Sequence, residues 1–511
     1  MGSELAARRL PMMGTFIVTA LLARAAAEEE VAVAIVGAGY AGLSAALALA
    51  EGGVDDFRVF EATDHVGGRT RNVDAKTLRM DTANDDVLEV GGTFVAPGHT
   101  ALVDFAARLG FPVYNVSGSR RGLREPSKTW PWWWFGVDQR VDTDSTLAPS
   151  TLYASTGNGD FSSPEELRAA FPEDAWAELE AAGAAMANLA ASVGCEAHED
   201  DAWAALDGST FESWIRANVA KDEARGALRS MCRGMIAQEP AGVSLLFTVR
   251  SLKGCWSSGD DDQYRIRGGT QGPLLALAAR FGGRVALDAE VVAVTASDGR
   301  WRVALRSGVH VFAKYVVVTG PPAVVAKIRA PAFSAITKQL LQRMPMGAST
   351  KYFLIYDEPW WRAFHSGQVV VTDPDPATAR DVYVYACEDH SPYSGLRGRG
   401  PGALLCWIEG ACNLRFDGLT DDERRAHVTS LFAGALKNDS RLYAPTHVVA
   451  HDWKAQPFAE GAYTLAQQKA PGLFLAGSDY VAGYGAGYIE GAVRSGQAAA
   501  AAILGFTTSV N

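Results

Sequence analysis

The sequence predicts an α/β fold in which a nucleotide-binding sheet is interrupted by a second domain of mixed sheet and helices. Three stretches predict it: a strand–turn–helix unit at residues 33–46, an apolar strand at 57–60, and an Ala-, Glu- and Leu-rich helical stretch at 164–193. Residues 33–36 (Val-Ala-Ile-Val) are apolar without a break, which is typical of a strand buried on both faces of a parallel sheet.

The turn after the first strand has the G-x-G-x-x-G spacing, formed by Gly37, Gly39 and Gly42. These glycines permit a tight turn, close backbone approach to a pyrophosphate, and close packing of helix on strand. A helix beginning near Ala41 would direct unpaired N–H groups and its positive dipole end at the phosphates. Glu61 ends the second strand about 20 residues further on, where a ribose-binding carboxylate is expected.

Composition limits the function classes. The formal net charge of −11 argues against a nucleic-acid-binding surface. The six cysteines form no C-x-x-C pair and have no histidine cluster beside them, so we predict no metal site. Composition does not predict the oligomeric state.

The first 29 residues are predicted to be a targeting segment that lies outside the folded domains. Arg8 and Arg9 precede the apolar run 10–23, and small residues at 25–27 could be followed by cleavage. We therefore expect export or entry into the secretory route. An organellar leader, a retained membrane anchor or a cytoplasmic location are the alternatives. Elsewhere no stretch is long and apolar enough to predict a membrane span.

Two further glycine pairs follow the second strand. Gly68 and Arg69 belong to a Gly-Gly-Arg-Thr segment, and Gly91, Gly92 and Thr93 precede an aromatic residue. With these motifs, residues 33–97 resemble the flavin-containing amine oxidase family, which includes monoamine and polyamine oxidases. The resemblance implies FAD as cofactor. It implies that the contacts to FAD in this part of the chain come from Gly37, Gly39, Tyr40, Ala41, Gly42, Glu61, Gly68, Arg69, Gly91, Gly92 and Thr93.

Two later segments resemble the family's return to the cofactor domain. In the first, Val291 or Val292 matches the residue that holds the adenine through its backbone. In the second, the matching residues are Trp453, Gly477, Asp479, Tyr488 and Ile489, and Asp479 stands where the family usually has glutamate. The resemblance implies a Rossmann-like FAD-binding domain built from residues 30–111, 265–340 and 456–506. The substrate domain would then contain residues 112–264 and 341–455.

Three residues are implied to act at the reacting atoms. Lys351 matches the family's lysine that holds a water molecule against flavin N5. Tyr463 and Tyr488 match the pair of rings that flank the substrate amine in monoamine oxidases. The family's cysteine that bonds covalently to the flavin is replaced by Ala462, so FAD is expected to be held without a covalent bond.

The function implied is oxidation of a small primary or secondary amine to an imine or aldehyde, with O₂ reduced to H₂O₂. A polyamine oxidase and an L-amino acid oxidase are alternatives. The latter needs an arginine for the substrate carboxylate, and the sequence does not assign one. A flavin-stabilised interaction protein without turnover is the alternative outside enzymes.

Periodicity also predicts local elements. Residues 211–235 are expected to form one helix, and residues 284–294 alternate as a strand pair does. The aromatic run at 129–135 predicts either the edge of a small core or part of the substrate cavity.

Overall fold

The computed structural model of the protein describes residues 29–73, 78, 86–96, 98–115, 153–156, 159–161, 168, 171–194, 201–253, 264–363, 365, 368–374, 382–396, 400–462, 473–481 and 485–508. The targeting segment, the aromatic run at 129–135 and Tyr463 lie outside these residues.

The strands of the described residues are β1 (Glu29–Val36), β2 (Phe57–Phe60), β3 (Asn72–Val73), β4 (Leu88–Glu89), β5 (Val113–Asn115), β6 (Tyr153–Thr156), β7 (Gly159–Phe161), β8 (Tyr264–Ile266), β9 (Val285–Ala286), β10 (Val291–Ser297), β11 (Arg300–Leu305), β12 (His310–Val318), β13 (Ser349–Tyr356), β14 (Gln368–Pro374), β15 (Val382–Asp389), β16 (Gly402–Glu409), β17 (His447–Asp452) and β18 (Leu473–Leu475).

The α-helices are α1 (Tyr40–Glu51), α2 (Thr100–Arg108), α3 (Glu173–Ser192), α4 (Ala204–Asp207), α5 (Phe211–Asn218), α6 (Asp222–Ile236), α7 (Leu245–Leu252), α8 (Gly272–Phe281), α9 (Pro322–Val325), α10 (Ala335–Arg343), α11 (Tyr393–Leu396), α12 (Gly410–Phe416), α13 (Asp421–Ala433) and α14 (Ile489–Thr508). No helix in the described part of the chain is long and apolar enough to cross a bilayer.

The first sheet confirms the predicted α/β fold. Its strand order is β10-β11-β12-β1-β2-β9, and β18 pairs with the C-terminal end of β12. Strand β12 is parallel to both β1 and β18, so segments from the beginning, middle and end of the chain meet at the sheet centre. Val33 and Ile35 are fully buried beneath α1, because one face of the sheet packs against that helix.

The second sheet has the order β17-β13-β16-β15-β14-β6-β7 and is antiparallel apart from the β14–β6 pair. All residues of β13 are buried, because one face packs against α12 and α13 and the other faces the first domain. A disulfide joins Cys387 of β15 to Cys406, its cross-strand partner on β16. The side chains of Cys232 and Cys412 are also buried.

Helices α3, α5, α6 and α7 share one apolar core and form a helical cap. The prediction of a single helix over residues 211–235 was wrong, because the backbone is extended at Val219 and Lys221, between α5 and α6. The Glu178 carboxylate of α3 accepts the N–H groups of Ala220 and Lys221, both at 2.7 Å. These donors are satisfied by a distant side chain, so the helix can stop there.

Residues 284–294 do contain two strands, but they do not pair with each other. Strand β9 lies beside β2 at one edge of the first sheet, whereas β10 lies beside β11 at the opposite edge. The periodicity correctly indicated two strands, but it does not encode the partner of each strand.

Candidate active site

A cavity of about 2010 Å³ lies between the two sheets and the helical cap. Most of the predicted site residues line it, although they come from separate parts of the chain. These residues are Gly37, Gly39, Tyr40, Ala41, Glu61, Gly68, Arg69, Gly91, Gly92, Thr93, Val291, Val292, Lys351, Trp453, Gly477, Tyr488 and Ile489.

The glycine turn leaves an open helix N-terminus at one end of the cavity. Gly37 has φ +102°, and a Cβ on Gly42 would lie 2.0 Å from the Gly37 carbonyl oxygen. Gly39 precedes α1, and neither a capping side chain nor an acidic residue occupies the first turn of that helix. A Cβ on Gly39 would meet only backbone atoms 3.8 Å away or further. This turn therefore fits a pyrophosphate, because bare N–H groups face the cavity at the positive end of a helix.

The carboxylate of Glu61 is fixed at the end of β2. One oxygen accepts the Ala38 N–H at 2.7 Å, and the other accepts the Thr63 N–H at 3.0 Å and its hydroxyl at 2.8 Å. The side chain is buried yet lines the cavity. Its position beside the glycine turn suits the predicted contact with a ribose hydroxyl.

Arg69 and Asp479 form a bidentate pair beneath the cavity. The guanidinium donates to both carboxylate oxygens, to the Ala462 carbonyl at 3.0 Å and to the Ser478 hydroxyl at 3.1 Å. The Asp479 carboxylate raises the pKa of Arg69, although burial of the guanidinium opposes this effect. Asp479 is fully buried and does not line the cavity, so its side chain orients Arg69 rather than facing the cofactor position.

Two other predicted cofactor residues, Tyr40 and Val292, also line the cavity. The Tyr40 hydroxyl is buried and donates to the Thr270 carbonyl at 2.6 Å, and its ring packs against Phe105. A β-bulge leaves Val292 out of the pairing between β10 and β11 while it lines the cavity. Both positions can therefore present backbone atoms to a ligand.

Lys351 projects from β13 onto the Gly91–Thr93 turn. Its ammonium donates to the carbonyls of Glu89 at 3.2 Å and Gly91 at 2.7 Å, and to the Thr93 hydroxyl at 2.7 Å. These acceptors explain how a lysine that is only 6% exposed is tolerated in an apolar strand. The predicted catalytic lysine therefore contacts the turn that is predicted to bind the cofactor.

Two rings beside Lys351, those of Trp407 and His451, were not predicted from the sequence. Trp407 on β16 and His451 on β17 lie opposite Lys351, so the three side chains share the face toward the cavity. The lysine nitrogen lies 5.7 Å from the centre of the Trp407 ring. Trp453, which was predicted, donates its indole N–H to the Val90 carbonyl at 2.8 Å. Alternation along β16 could have identified Trp407 only if its register with β13 were known.

Carboxylates also line this part of the cavity. The Glu388 carboxylate lies 2.5 Å from His390 Nδ1 and accepts a hydrogen bond from Arg265 at 3.4 Å. Glu409 receives a hydrogen bond from the Ser349 hydroxyl at 3.3 Å, and burial raises the pKa of its carboxyl to about 8. Sequence reasoning missed both, because nothing local distinguishes them from surface carboxylates.

Tyr488 lies on the cavity wall immediately before α14. Its ring centre is 5.3 Å from that of His99, and Tyr488 packs with Phe247 against Ala486. Helix α14 begins at Ile489, and its first-turn Glu490 accepts the Ala101 and Leu102 N–H groups of α2. The helix end that faces the cavity is thereby held in place.

The residues present fit FAD. They supply an open helix N-terminus, a carboxylate at the end of the second strand, and a partly buried arginine, all in one large cavity. The helix end and the arginine are complementary to the negative charge of a pyrophosphate.

Comparison with known proteins agrees with this geometry. AofH of Mycobacterium tuberculosis, whose name assigns it to the flavin-containing monoamine oxidases, is 28% identical over 92% of this chain and 96% of its own. The dog amine oxidase [flavin-containing] A is 24% identical over 92% of this chain and 84% of its own.

Solved structures share the fold. Cyclohexylamine oxidase from Brevibacterium oxydans superposes with a TM-score of 0.75 at 22% identity, over 94% of this chain and 99% of its own. Putrescine oxidase with bound putrescine gives 0.73 at 23% identity, over 93% and 99%. The family described as flavin containing amine oxidoreductase matches residues 40–504. The chain therefore belongs to the flavin-containing amine oxidoreductase family and is an FAD-dependent oxidoreductase.

Proposed function

We propose that the protein oxidises a small primary or secondary amine, of the monoamine oxidase type, to an imine that water hydrolyses to an aldehyde, with O₂ reduced to H₂O₂. The observation that carries this proposal is the placement of Lys351 and Tyr488 on the walls of one cavity that also contains the FAD cradle. Bound FAD would supply the two-electron chemistry that protein side chains lack.

The side chains prepare the amine for oxidation. An alkylammonium with a pKa near ~10.4, like that of lysine, must lose its proton before its α-carbon can be oxidised. Tyr488 and Trp407 both line the cavity. Rings around an amine exclude water, which disfavours its charged form. By the family resemblance, Tyr463 would flank the amine together with Tyr488.

Lys351 has a positioning role for the water that the family places beside it. Its ammonium is held by two backbone carbonyls and the Thr93 hydroxyl, so its position is fixed before any ligand enters. Arg69, Glu61 and the N-terminus of α1 would hold the cofactor.

Anaerobic mixing of the FAD-loaded protein with tyramine, phenylethylamine, putrescine, spermidine and L-phenylalanine tests the proposal. Bleaching of the visible flavin band by a monoamine is the expected result. Bleaching by polyamines or the amino acid alone would move the proposal to one of those alternatives. If FAD is retained and nothing bleaches it, an interaction protein stabilised by flavin replaces the enzyme.

We also propose that FAD is bound without a covalent link, because Ala462 cannot supply the thiol of the family's linked members. Acid precipitation should release all flavin into the supernatant. Flavin that remained on the precipitated chain would contradict this.

We further propose that the protein enters the secretory route. The Cys387–Cys406 disulfide supports this, because disulfides persist in oxidising compartments. Exposed Asn438, in an Asn-Asp-Ser sequon, provides a reporter. Expression with its own N-terminus in a eukaryotic host should yield glycosylated protein whose mass falls after endoglycosidase treatment. Intracellular protein without glycan would contradict it.

A further inference from the structure

Glu409 is a carboxylate on the cavity wall that the protein leaves almost unpaired. It is the last residue of β16, and its side chain lines the cavity. Within the part of the chain that the structure describes, its one hydrogen bond comes from the Ser349 hydroxyl at 3.3 Å, and no lysine or arginine forms an ion pair with it. Because a carboxylate can accept about four hydrogen bonds, most of this capacity remains for a ligand.

Other carboxylates on the cavity wall are compensated by the protein. Glu61 accepts backbone N–H groups at the end of β2. Glu388 of β15 accepts from Arg265, and Glu290 is paired with Arg306. Glu409 differs from these three groups, since its charge has no such partner in the described residues.

Strand register places Glu409 close to Lys351. Glu409 lies opposite Ser349, and Trp407 lies opposite Lys351 in the same pair of strands. Glu409 and Lys351 are therefore diagonal neighbours on the face toward the cavity, and such residues lie about 7–8 Å apart. An amine held beside Lys351 and the Trp407 ring would be within reach of the Glu409 carboxylate.

The nearest titratable groups on the second sheet leave this carboxylate without a close counter-charge. Burial raises the pKa of Glu409 to about 8, and neither the Ser349 hydrogen bond nor the charge of Lys351 overcomes that effect. His451 of β17 lies opposite Lys351, and burial lowers its pKa to about 4, so its ring is neutral near pH 7.

The helical cap brings one further ion pair close to Glu409. Arg233 of α6 donates to both oxygens of Glu239, with contacts of 2.8 and 3.0 Å. A Cβ on Gly410, the next residue after Glu409, would lie 3.0 Å from the Glu239 carboxylate and 3.3 Å from Cγ of Arg233. The pair brings both signs of charge together, so it does not replace a counter-ion for Glu409.

We propose that Glu409 is a catalytic residue that receives the ammonium of the substrate and takes its proton, so that the amine is neutral when its α-carbon is oxidised. This inference rests on the proposed amine oxidation and supplies its proton acceptor. One N–H bond of the ammonium breaks and an O–H bond forms on the carboxylate, while the electron pair of the broken bond stays on nitrogen. A cavity shielded from water favours the resulting pair of neutral groups over two charges.

Phenylethylamine and its β,β-difluoro analogue test this step with the FAD-loaded enzyme. Fluorine withdraws electrons from nitrogen, so near pH 9 the analogue is mostly neutral, whereas phenylethylamine is mostly protonated. Glu409 of the free enzyme is mostly ionised at this pH. We expect Glu409→Gln to slow anaerobic flavin reduction by subsaturating phenylethylamine about a hundredfold, the lower end of the range for a positioned base. The same variant should reduce the rate with the analogue only slightly.

An amine that cannot be oxidised separates binding from chemistry. tert-Butylamine has no hydrogen on the carbon that bears nitrogen, so its affinity can be measured from the change in the flavin spectrum. Wild type should bind it about tenfold more tightly near pH 9 than near pH 7, because the ionised fraction of Glu409 rises by that factor. Glu409→Gln should bind only the free amine, whose fraction rises about a hundredfold over the same range.

Variants separate the chemical role from a structural one. Glu409→Gln resembles the protonated carboxyl, so its melting temperature near pH 6 should equal that of wild type. Glu409→Asp keeps a carboxylate and should retain part of the rate and the tenfold pH dependence. Glu180→Gln removes an exposed carboxylate from α3 and is a matched control that should change neither rates nor affinities.

The outcomes are distinguishable. If no amine reduces the flavin of wild type, the proposed function fails. If Glu409→Gln slows phenylethylamine and its analogue equally, or if wild type and Glu409→Gln bind tert-butylamine with the same pH dependence, the amine oxidase stands and Glu409 does not take the proton. If only putrescine is affected, Glu409 pairs with a second ammonium, and its role as proton acceptor is refuted.

Discussion

Arg69 and Asp479 lie 410 residues apart in the chain and form one bidentate ion pair. The pair ties the Gly-Gly-Arg-Thr segment to the turn before α14, and both elements border the cavity. Because the Asp479 carboxylate is almost completely shielded from solvent, the pair is screened far less than one on the surface. The pair therefore links a segment that is predicted to contact FAD to the last segment of the first domain.

Asp479→Asn should therefore destabilise the protein and weaken FAD binding. Removing one partner of a buried pair leaves the other charge uncompensated, and the two remaining acceptors of Arg69 limit the loss to about 2–3 kcal/mol. Chemical denaturation and flavin retained after dialysis measure both effects. Asp55→Asn removes an exposed carboxylate from Arg284 and should leave both nearly unchanged. Equal effects of the two substitutions would refute the role of the buried pair.

Two glycines of the same turn should respond differently to alanine. Gly39→Ala adds a methyl group that the fold accommodates, but the group occupies the space a pyrophosphate needs, so FAD affinity should fall while the apoprotein melts normally. Gly42→Ala places a methyl group 2.0 Å from the Gly37 oxygen and should impair folding itself. Titration with FAD and thermal melting of the apoprotein distinguish them. Normal FAD affinity in Gly39→Ala would show that no phosphate approaches this turn.

Lys351→Met should slow flavin reduction or reoxidation by about a hundredfold, within the range for loss of a group that positions or transfers a proton. FAD should remain bound, because Glu61, Arg69 and the N-terminus of α1 are held by other contacts. Stopped-flow absorbance separates the two half-reactions. Thr93→Val, which removes one acceptor of the ammonium, should give a smaller decrease of the same half-reaction. Wild-type rates in Lys351→Met would exclude Lys351 from the mechanism.

Glu409 predicts how stability depends on pH. Burial raises the pKa of its carboxyl to about 8, whereas in the unfolded chain the group titrates near ~4.3. Between about pH 4 and pH 8 the folded protein holds a proton that the unfolded chain releases. The free energy of unfolding therefore falls as pH rises. The melting temperature of the Glu409→Gln variant, measured across this pH range, should not show this decline. Exposed Glu180→Gln should retain it, and identical profiles for wild type and Glu409→Gln would contradict the assignment.

The disulfide should stabilise the second sheet. Cys387 and Cys406 are 19 residues apart, and closing a loop of that size stabilises by about 3 kcal/mol. Peptide mapping without reductant should find the two joined. Replacing both with serine should lower stability to that of reduced wild type. If reduction leaves wild type unchanged, the bond contributes nothing.

Local sequence was sufficient for the elements whose chemistry lies within one short stretch. The glycine turn and Glu61 at the end of β2 follow from spacing and residue type. Lys351 and the segment that leads into α14 were predicted from their resemblance to family motifs, each of which spans one short stretch. Each of these positions is determined by neighbours along the chain.

Contacts between distant segments set the remaining features. Trp407 faces the cavity beside Lys351 because of the register between β13 and β16, which periodicity does not specify. The break between α5 and α6 depends on Glu178 of α3. Helix α7 of the cap lines the cavity with Leu246 and Phe247, and Phe247 packs against Ala486. The inserted cap therefore determines parts of the site that no motif of the first domain contains.

The sheet centre, where β12 lies between β1 and β18, has a consequence for biosynthesis. The ribosome releases β1 and α1 early, but their partners β18 and α14 are made last, and Gly496 of α14 packs closely on the Ala41 carbonyl of α1. Until residues 473–508 emerge, the face of α1 that packs against α14 has no partner and the FAD cradle is incomplete. Cofactor capture is thus a late step of folding, and in a chain that crosses a membrane unfolded it would have to follow translocation.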